Sequence, residues 1–415
     1  MWRFSDEARA LLAGSHTTAS RVDVLHSGVP VYTLNVITGG VTAEADRPVR
    51  RNLSCTLVDP TGNLTRGDVD DLLNPYDCEI QPWRGVRITT YTPGADAVLT
   101  GGLYPSTSLY PSTTLYPSAP TISAPTSVRT TVEELAPHGV FGLTGRQASD
   151  SVDGLRITLT GQDRAMQYQG PMSSALAISA GTPVEEAVLR LLSSRNPGLS
   201  LLTLRTGFTC GPLLYAPDID VWREAQDLAA SVGARLFHDR TGQVQMQLTG
   251  PASDIPVTAY AEGDGLLLSI DRSEDSDTIR NVVVAESTNG AIRVVAEDTD
   301  PSSPTFAGGR YGRRVAPLIN QHFASIEQAQ QAATARLAYE LGRSETVTFT
   351  AVPNPALDVE EVVSVHRPRL GLQHRGLVVA SLTMPLGATE TMTVGCRRSV
   401  LAQDGRVLDF EELTA

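Results

Sequence analysis

The sequence predicts an α+β fold that is mainly β. Apolar and polar residues alternate from about residue 17 to residue 92, again at 140–160, and once more after residue 344, which is typical of half-buried strands. Between the last two of these regions the chain carries helix signals and a β-hairpin. At about 150 residues per domain, the chain length corresponds to roughly three domains.

The chain begins with a predicted amphipathic helix over residues 4–13. Its apolar stripe contains Phe4, Ala8, Leu11 and Leu12. A helix this short is unstable alone, so we expect it to dock on the rest of the protein. Six predicted strands follow, at residues 21–25, 29–36, 53–58, 86–91, 140–144 and 155–160.

Residues 93–127 interrupt these strands with a repeat. Leu103-Tyr104-Pro105 recurs around Tyr110 and Tyr116, so that proline returns at every sixth position. This spacing excludes a helix or a central strand and predicts an extended, exposed insertion. Two interpretations remain open: a projecting arm whose three tyrosines contact a partner, and a duplicated, poorly ordered insertion.

Three helices are predicted after residue 180. The first has Thr182 as its cap, Pro183 in its first turn and Glu185 completing a capping box. The second runs over 220–232, and the third runs from its cap Ser325 to residue 341 and ends at Gly342. The predicted strands are a hairpin at 234–238 and 243–248, followed by 346–351, 361–366, 376–383 and 390–394.

The charge balance excludes several functional classes. All 33 basic residues are arginines, and the net charge is −13. Without lysine there is no P-loop, Schiff-base, kinase or Ser-x-x-Lys site. The acidic balance also argues against a general nucleic-acid binder, because phosphate neutralisation needs a basic face.

No catalytic motif is present in the sequence. The seven histidines form no H-E-x-x-H or i,i+4 pair, and there is no G-x-S-x-G elbow. The cysteines Cys55, Cys78, Cys210 and Cys396 are far apart, which predicts reduced, buried thiols. We therefore predict a non-enzyme with no catalytic residue, cofactor or metal site. A pair of acid–base carboxylates stays open, since one sequence does not reveal which carboxylates meet.

Membrane and export signals are also missing. No apolar run approaches the ~20 residues of a membrane span. Acidic residues interrupt the N-terminus where a signal peptide needs an apolar core. These features predict a soluble protein, made in a cytoplasm and not inserted into a membrane.

Two charged segments are candidate surfaces. The acidic run 271–277 includes Asp275 and Asp277, and it is either solvated surface or an ion site. The loop 308–314 carries Arg310, Arg313 and Arg314 beside a tyrosine. Such a loop contacts nucleic acid or, more often in an acidic protein, pairs with a neighbour's carboxylates.

Short structural motifs lie along residues 15–410, outside the repeat. They include Val49-Arg50-Arg51-Asn52-Leu53, Asp59-Pro60-Thr61-Gly62, Leu73-Asn74-Pro75-Tyr76, Gly161-Gln162-Asp163-Arg164, Asp277-Thr278-Ile279-Arg280-Asn281 and Val352-Pro353-Asn354-Pro355. Together they resemble the minor tail proteins of actinobacterial siphophages, which are similar to the hub, or tail-associated, proteins at the tip of phage tails. None of these motifs is catalytic.

The resemblance implies a homotrimer in which each chain contributes two tube-like β-barrel or sandwich hub domains and an inserted α/β domain. On this template the helix at 1–14 precedes a first tube domain at 15–170, which carries the exposed insertion 93–127. A decorating α/β domain follows at 171–254. A second tube domain spans 255–415, with a helix at 325–341.

The function implied by the resemblance is structural. Such a hub belongs to the tail tip of a virion assembled in the cytoplasm of the bacterial host. It closes the tail tube, anchors the tape-measure protein and the ring of distal tail proteins, contacts tail-tip spike or receptor-binding proteins, and lets phage DNA pass. Two alternatives stay open: a virion-associated cell-wall hydrolase, and a receptor-binding adsorption protein that uses the Tyr-Pro arm.

The charge balance adds an expectation about the channel of such a trimer. A basic wall would bind phosphates and stall DNA, whereas an acidic or neutral wall would not. We therefore expect acidic side chains, with Asp275 and Asp277 as candidates, to line the lumen. The arginines Arg310, Arg313 and Arg314 are expected away from it, pairing across subunits.

Overall fold

The computed structural model describes residues 2–14, 16–59, 64, 71–92, 128–152, 154–249, 256–398 and 410–414. The predicted fold class is confirmed, because strands dominate and most of them belong to one large, largely antiparallel sheet. The repeat with Tyr104, Tyr110 and Tyr116 lies outside the described residues.

The first part of the chain contains one helix and eight strands. They are α1 (Asp6–Leu12), β1 (Thr18–His26), β2 (Val29–Leu34), β3 (Val36–Glu44), β4 (Arg51–Val58), β5 (Cys78–Thr92), β6 (Val128–Pro137), β7 (Phe141–Ser151) and β8 (Gly154–Asp163). Helix α1 begins after Ser5, whose hydroxyl accepts a hydrogen bond from Ala8 N at 3.1 Å. Phe4, Ala8 and Leu12 pack against the β5–β6 ribbon, so the predicted docking is confirmed.

The middle part is the α/β region. It contains a 3-10 turn (Arg164–Tyr168), β9 (Leu176–Ile178), α2 (Val184–Ser193), β10 (Ser200–Leu204), β11 (Leu213–Tyr215), α3 (Val221–Ala230), β12 (Ala234–His238) and β13 (Val244–Leu248). Both helices bury an apolar face, with Val188 of α2 and Trp222 of α3 in one core. Asp220 caps α3 by accepting from Arg223 N at 3.0 Å, at the predicted start.

The last part contains one helix and ten strands. They are β14 (Thr258–Ala261), β15 (Leu267–Glu274), β16 (Val282–Glu286), β17 (Arg293–Glu297), β18 (Val315–Ile319), α4 (Ile326–Gly342), β19 (Glu345–Ala351), β20 (Val362–Arg367), β21 (Leu372–Pro385), β22 (Met392–Arg398) and β23 (Phe410–Thr414). The predicted cap is confirmed, since Ser325 accepts from Gln328 N at 3.1 Å.

One sheet links the first and last parts. Its principal strand order is β15-β19-β22-β21-β3-β4-β8-β7-β5-β1-β2. The junction is the antiparallel pair β21–β3, in which Thr383 lies opposite Thr42. Two apolar cores lie under this sheet, one on each side of the junction.

The region expected as one β domain at 255–415 is divided differently. Strands β14, β15 and β19–β22 belong to the long sheet, whereas β16–β18 form a separate three-stranded sheet covered by α4. Strand β23 pairs with β10 of the α/β region. The alternating pattern identifies strands, but it carries no information on which sheet each one joins.

Two predicted helix ends need correction. The Thr182 hydroxyl donates to the Ser179 carbonyl at 2.8 Å instead of capping α2, and Glu185 accepts from Thr206 Oγ1 at 3.0 Å instead of closing a capping box. The cause is a bridge between Pro183 and the chain at Thr209, which keeps Pro183 extended. Helix α4 includes Gly342, one residue past the predicted 341, and a Cβ at this position would lie only 2.9 Å from the Arg398 carbonyl oxygen.

Candidate functional site

Eight neighbouring strands of the long sheet form a continuous wall with two matching halves. Four come from the first part (β3, β4, β8 and β7) and four from the last part (β21, β22, β19 and β15). We call this set the eight-strand wall. One face of the wall covers the two apolar cores, as the alternation of buried and exposed residues along β19 and β4 demonstrates.

The other face of the wall is lined by hydroxyl side chains. Because side chains alternate between the two faces of a strand, the residues between the buried ones share this second face. The hydroxyl face consists of Thr42, Ser54, Thr56, Thr158, Thr160, Ser269, Ser273, Thr346, Thr348, Thr350, Ser381, Thr383 and Thr393. All of them are half-buried or exposed in the single chain.

Strand register places these hydroxyls in rows that cross the wall. One row runs from Ser269 through Thr350, Thr393 and Thr383 to Thr42. A second row has Asp271 at one end and Glu44 at the other, with Thr348 and Ser381 between them. On β4 and β8, Thr56 Oγ1 and Thr158 Oγ1 lie 3.3 Å apart. These rows are therefore polar and mostly uncharged, whereas Arg397, opposite Thr346, and Arg156, opposite Val58, put two arginines on the same face.

The wall has an open edge at each end. Strand β15 pairs only with β19 in the described part of the chain. Strand β7 pairs with β5 only at Phe141 and Gly142. Along the rest of β7, its only partner among the described strands is β8. Unpaired backbone groups on such edges are ready to pair with another strand.

The predicted lumen acids and basic residues lie together at one end of the wall. Asp275 and Asp277 follow β15 directly and are exposed. The Arg314 guanidinium is 3.6 Å from the Asp277 carboxylate and 4.6 Å from the Tyr311 ring. The predicted separation of acids from arginines therefore does not hold for Asp277 and Arg314.

The remaining arginines of this loop are also on the surface. Arg313 pairs with Glu297 of its own chain at 2.9 Å, and Arg310 is exposed. The loop itself is anchored by Asn281, a fully buried residue that sequence reasoning missed. Its amide donates to the Thr305 and Gly312 carbonyls at 2.7 Å each, and its oxygen accepts from Arg314 N at 2.7 Å.

A joint between three parts of the chain was also missed. Arg50, which is buried, pairs with Glu360 and lies over the Phe237 ring at 3.8 Å. Arg235 of β12 donates to the same carboxylate at 2.8 Å. Glu360 has a positive φ of 67°, which aims it at both arginines. The only sequence signal was the pair of adjacent arginines, Arg50 and Arg51, at the start of a strand.

The remaining candidate groups are the cysteines and the possible metal ligands. The four cysteines are buried and free, as predicted, and burial raises the pKa of the Cys78 thiol to about 11 and that of Cys55 to about 12. Across the described ranges, no three His, Cys, Asp or Glu side chains are grouped to hold a metal ion. None of the helices that the structure describes is long and apolar enough to span a membrane.

Two solved structures share this fold over nearly their whole length. The tail protein from Neisseria meningitidis MC58 has a TM-score of 0.57 at 14% sequence identity, over 92% of this chain and 97% of that one. The 43 kDa tail protein of prophage MuSo2 from Shewanella oneidensis has a TM-score of 0.55 at 11% identity, over 92% and 98%. No protein-family model and no curated protein matches the chain.

Proposed function

We propose that this chain is a structural component of a phage tail tip. In this role it is a hub that closes the tail tube, anchors the tape-measure and distal tail proteins and lets DNA pass. The observation that carries the proposal is the full-length fold likeness to two tail proteins. The location in the virion and contacts with tail-tip spike or receptor-binding proteins belong to the same proposal.

The open edges of the eight-strand wall support a closed ring of chains. In a homotrimer, the β15 edge of one chain lies beside the β7 edge of the next, and three walls close on each other. A ring leaves no unpaired edge, and a contact between two different edges closes when the rotation is right. The two halves of the wall then act as the two tube domains, with the α/β region outside.

The hydroxyl face gives this ring a channel suited to DNA. Hydroxyl groups carry no charge, so they do not hold phosphates in the way that arginines do. We therefore assign the hydroxyl face to the lumen, with Asp271 and Glu44 at the ends of one row. Asp275 and Asp277 then lie at the channel rim. Because Arg314 lies there too, the rim carries charges of both signs and is not purely acidic.

DNA ejection tests this assignment. The double variant Thr348→Arg, Thr383→Arg puts two cations on the hydroxyl face, and we expect assembled particles that eject DNA more slowly. The control Thr334→Arg adds its charge on the exposed side of α4 and should eject as the wild type does. Equal ejection by the double variant and the control would contradict the assignment. Clearing of host cell walls by the purified chain in a zymogram would contradict a purely structural role.

A further inference from the structure

Four arginines surround a single tyrosine where several parts of the chain meet. The guanidinium carbons of Arg397, Arg235, Arg336 and Arg343 lie 4.7, 5.2, 5.2 and 5.8 Å from the centre of the Tyr339 ring. They come from β22, β12 and the end of α4. We call this group the Tyr339 cluster. Asp46, next to β3, accepts a hydrogen bond from the Tyr339 hydroxyl at 2.7 Å.

The carboxylates near the Tyr339 cluster are already shared. Glu340 pairs with Arg336 at 2.5 Å and lies 3.7 Å from Arg343. Asp46 is 3.2 Å from Arg235, and Glu360 serves Arg235 and also Arg50. Counting Arg50, five arginines meet three carboxylates, which leaves an excess of two positive charges.

Arg397 is the unbalanced member of the cluster. It is 93% buried, and its Nη1 has no hydrogen-bond partner. Among the residues that the structure describes, no carboxylate lies within 4.0 Å of the Arg397 guanidinium. Desolvation, followed by the like charge of Arg235, lowers the pKa of Arg397. The charges of Asp46 and Glu360 oppose this shift in part. A buried cation with no carboxylate in direct contact is costly, and an anion would relieve that cost.

The geometry points to a binding site for one phosphate-class oxyanion, held by Arg397 and Arg343 beside the Tyr339 ring. Guanidinium groups present paired N–H donors that match the oxygens of such an anion. Solvent reaches the cluster at Arg343 and Arg336, whose side chains are 45% and 44% exposed. This inference is independent of the proposed tail function.

A free ion fits this site better than a nucleic-acid backbone. The chain as a whole carries a charge of −13, and its field repels long polyanions while the local excess of two charges matches one small anion. The bound ion would contact Arg343 at the end of α4 and Arg397 in the last part of the long sheet. Binding to the folded state alone stabilises that state, by an amount that grows with the logarithm of the phosphate concentration above Kd.

Calorimetry and thermal unfolding with inorganic phosphate test the proposal. We expect one phosphate to bind per chain and the melting temperature to rise with the logarithm of the phosphate concentration above Kd. Sodium chloride at matched ionic strength should not reproduce that rise. Arg343→Gln, a change at a half-exposed position, should weaken phosphate binding about tenfold. The control Arg313→Gln, at an exposed arginine paired with Glu297 elsewhere, should bind as the wild type does.

Three outcomes would overturn the assignment. The first is an equal rise in melting temperature with chloride. The second is unchanged phosphate binding in both Arg343→Gln and Arg397→Met. If Arg397→Met does not fold, unchanged binding in Arg343→Gln alone overturns the assignment. The third comes from a short oligothymidylate tested in parallel: tighter binding of this phosphodiester than of phosphate, lost in Arg343→Gln, would assign the cluster to nucleic acid instead.

Discussion

Arg51 and Asp358 meet at the centre of the joint that links three parts of the chain. Arg51 Nη2 lies 2.8 Å from each carboxylate oxygen of Asp358, although 307 residues separate the two in sequence. Arg240, from the turn after β12, donates to the same carboxylate at 3.3 Å. The adjacent Arg50 forms a second ion pair of this kind, with Glu360. Arg240 and Arg235, which pair with these same two carboxylates, hold the α/β region against the long sheet.

Loss of the Asp358 charge should destabilise the whole protein. In Asp358→Asn, Arg51 and Arg240 stay buried without their counter-charge, and we expect a loss of about 3 kcal/mol in the free energy of unfolding. Urea denaturation of the full chain measures it. Glu262→Gln, which removes the 3.7 Å pair with Arg367 on the surface, is the control and should cost less than about 0.5 kcal/mol. Similar losses in both variants would show that the joint adds nothing to stability.

Buried His238 should make the protein sensitive to acid. Burial, followed by the charges of Arg164 and Arg51, lowers the pKa of His238 to about 3. In the unfolded chain a histidine titrates near pH ~6.5, so between these values the unfolded state binds a proton that the folded state does not. The contribution of His238 to the free energy of unfolding is therefore complete above pH ~6.5 and is lost as the pH drops. At pH ~5 the loss from this residue is about 2 kcal/mol.

Substitution of His238 tests that linkage. Its ring stacks on Trp222 and on Tyr168, with ring centres 5.2 and 5.7 Å away, so His238→Phe keeps the aromatic contacts and removes the proton. The drop in urea midpoint from pH 7.5 to pH 5 should shrink in this variant. The same drop should stay as in the wild type for His16→Gln, at a half-buried residue of the N-terminal segment. An unchanged drop in His238→Phe would mean that other groups govern acid sensitivity.

Asn281 should control access to the loop with the three arginines. Asn281→Ala removes three hydrogen bonds of 2.7 Å and leaves two carbonyls and one amide without their partner, at an expected cost of about 2 kcal/mol. We expect trypsin to cut after Arg310 and Arg313 several times faster. Asn289→Ala, in an exposed turn, is the control and should leave the cleavage rate unchanged. Protection of the loop in Asn281→Ala would contradict the anchoring role.

Deletion of residues 101–125 should leave the fold intact. The strands on either side, β5 and β6, pair up to Thr92 and Val128, so the ten residues that remain between them can close the ribbon. Because proline recurs every six residues without an apolar periodicity, we expect the segment to add little to the core. Differential scanning calorimetry should give a melting temperature within a few degrees of the wild type. A collapse of folding would place the repeat's tyrosines in the core.

Local chemistry made part of this structure predictable. Ser325 was predicted as the cap of α4, and Asp220 as the start of α3, because such signals depend on residues only three positions away. Thr182 failed as a cap because a contact near Thr209, far along the chain, holds the next residue extended. Many strands were predicted from their alternation, but others, such as β6 and β15, were not. The pairing of Thr42 with Thr383 and the contact of Arg51 with Asp358 depend on tertiary packing. The hydroxyl face could therefore be identified only once the strand register was known.

Electron cryo-microscopy of the assembled particle tests the ring most directly, because it shows the strands of neighbouring chains. We predict three copies of this chain in a closed ring, with β15 of one chain beside β7 of the next and the hydroxyl face turned toward the channel. A ring with the hydroxyl face outward, or a chain whose β15 and β7 edges both remain in solvent, would contradict the proposed hub.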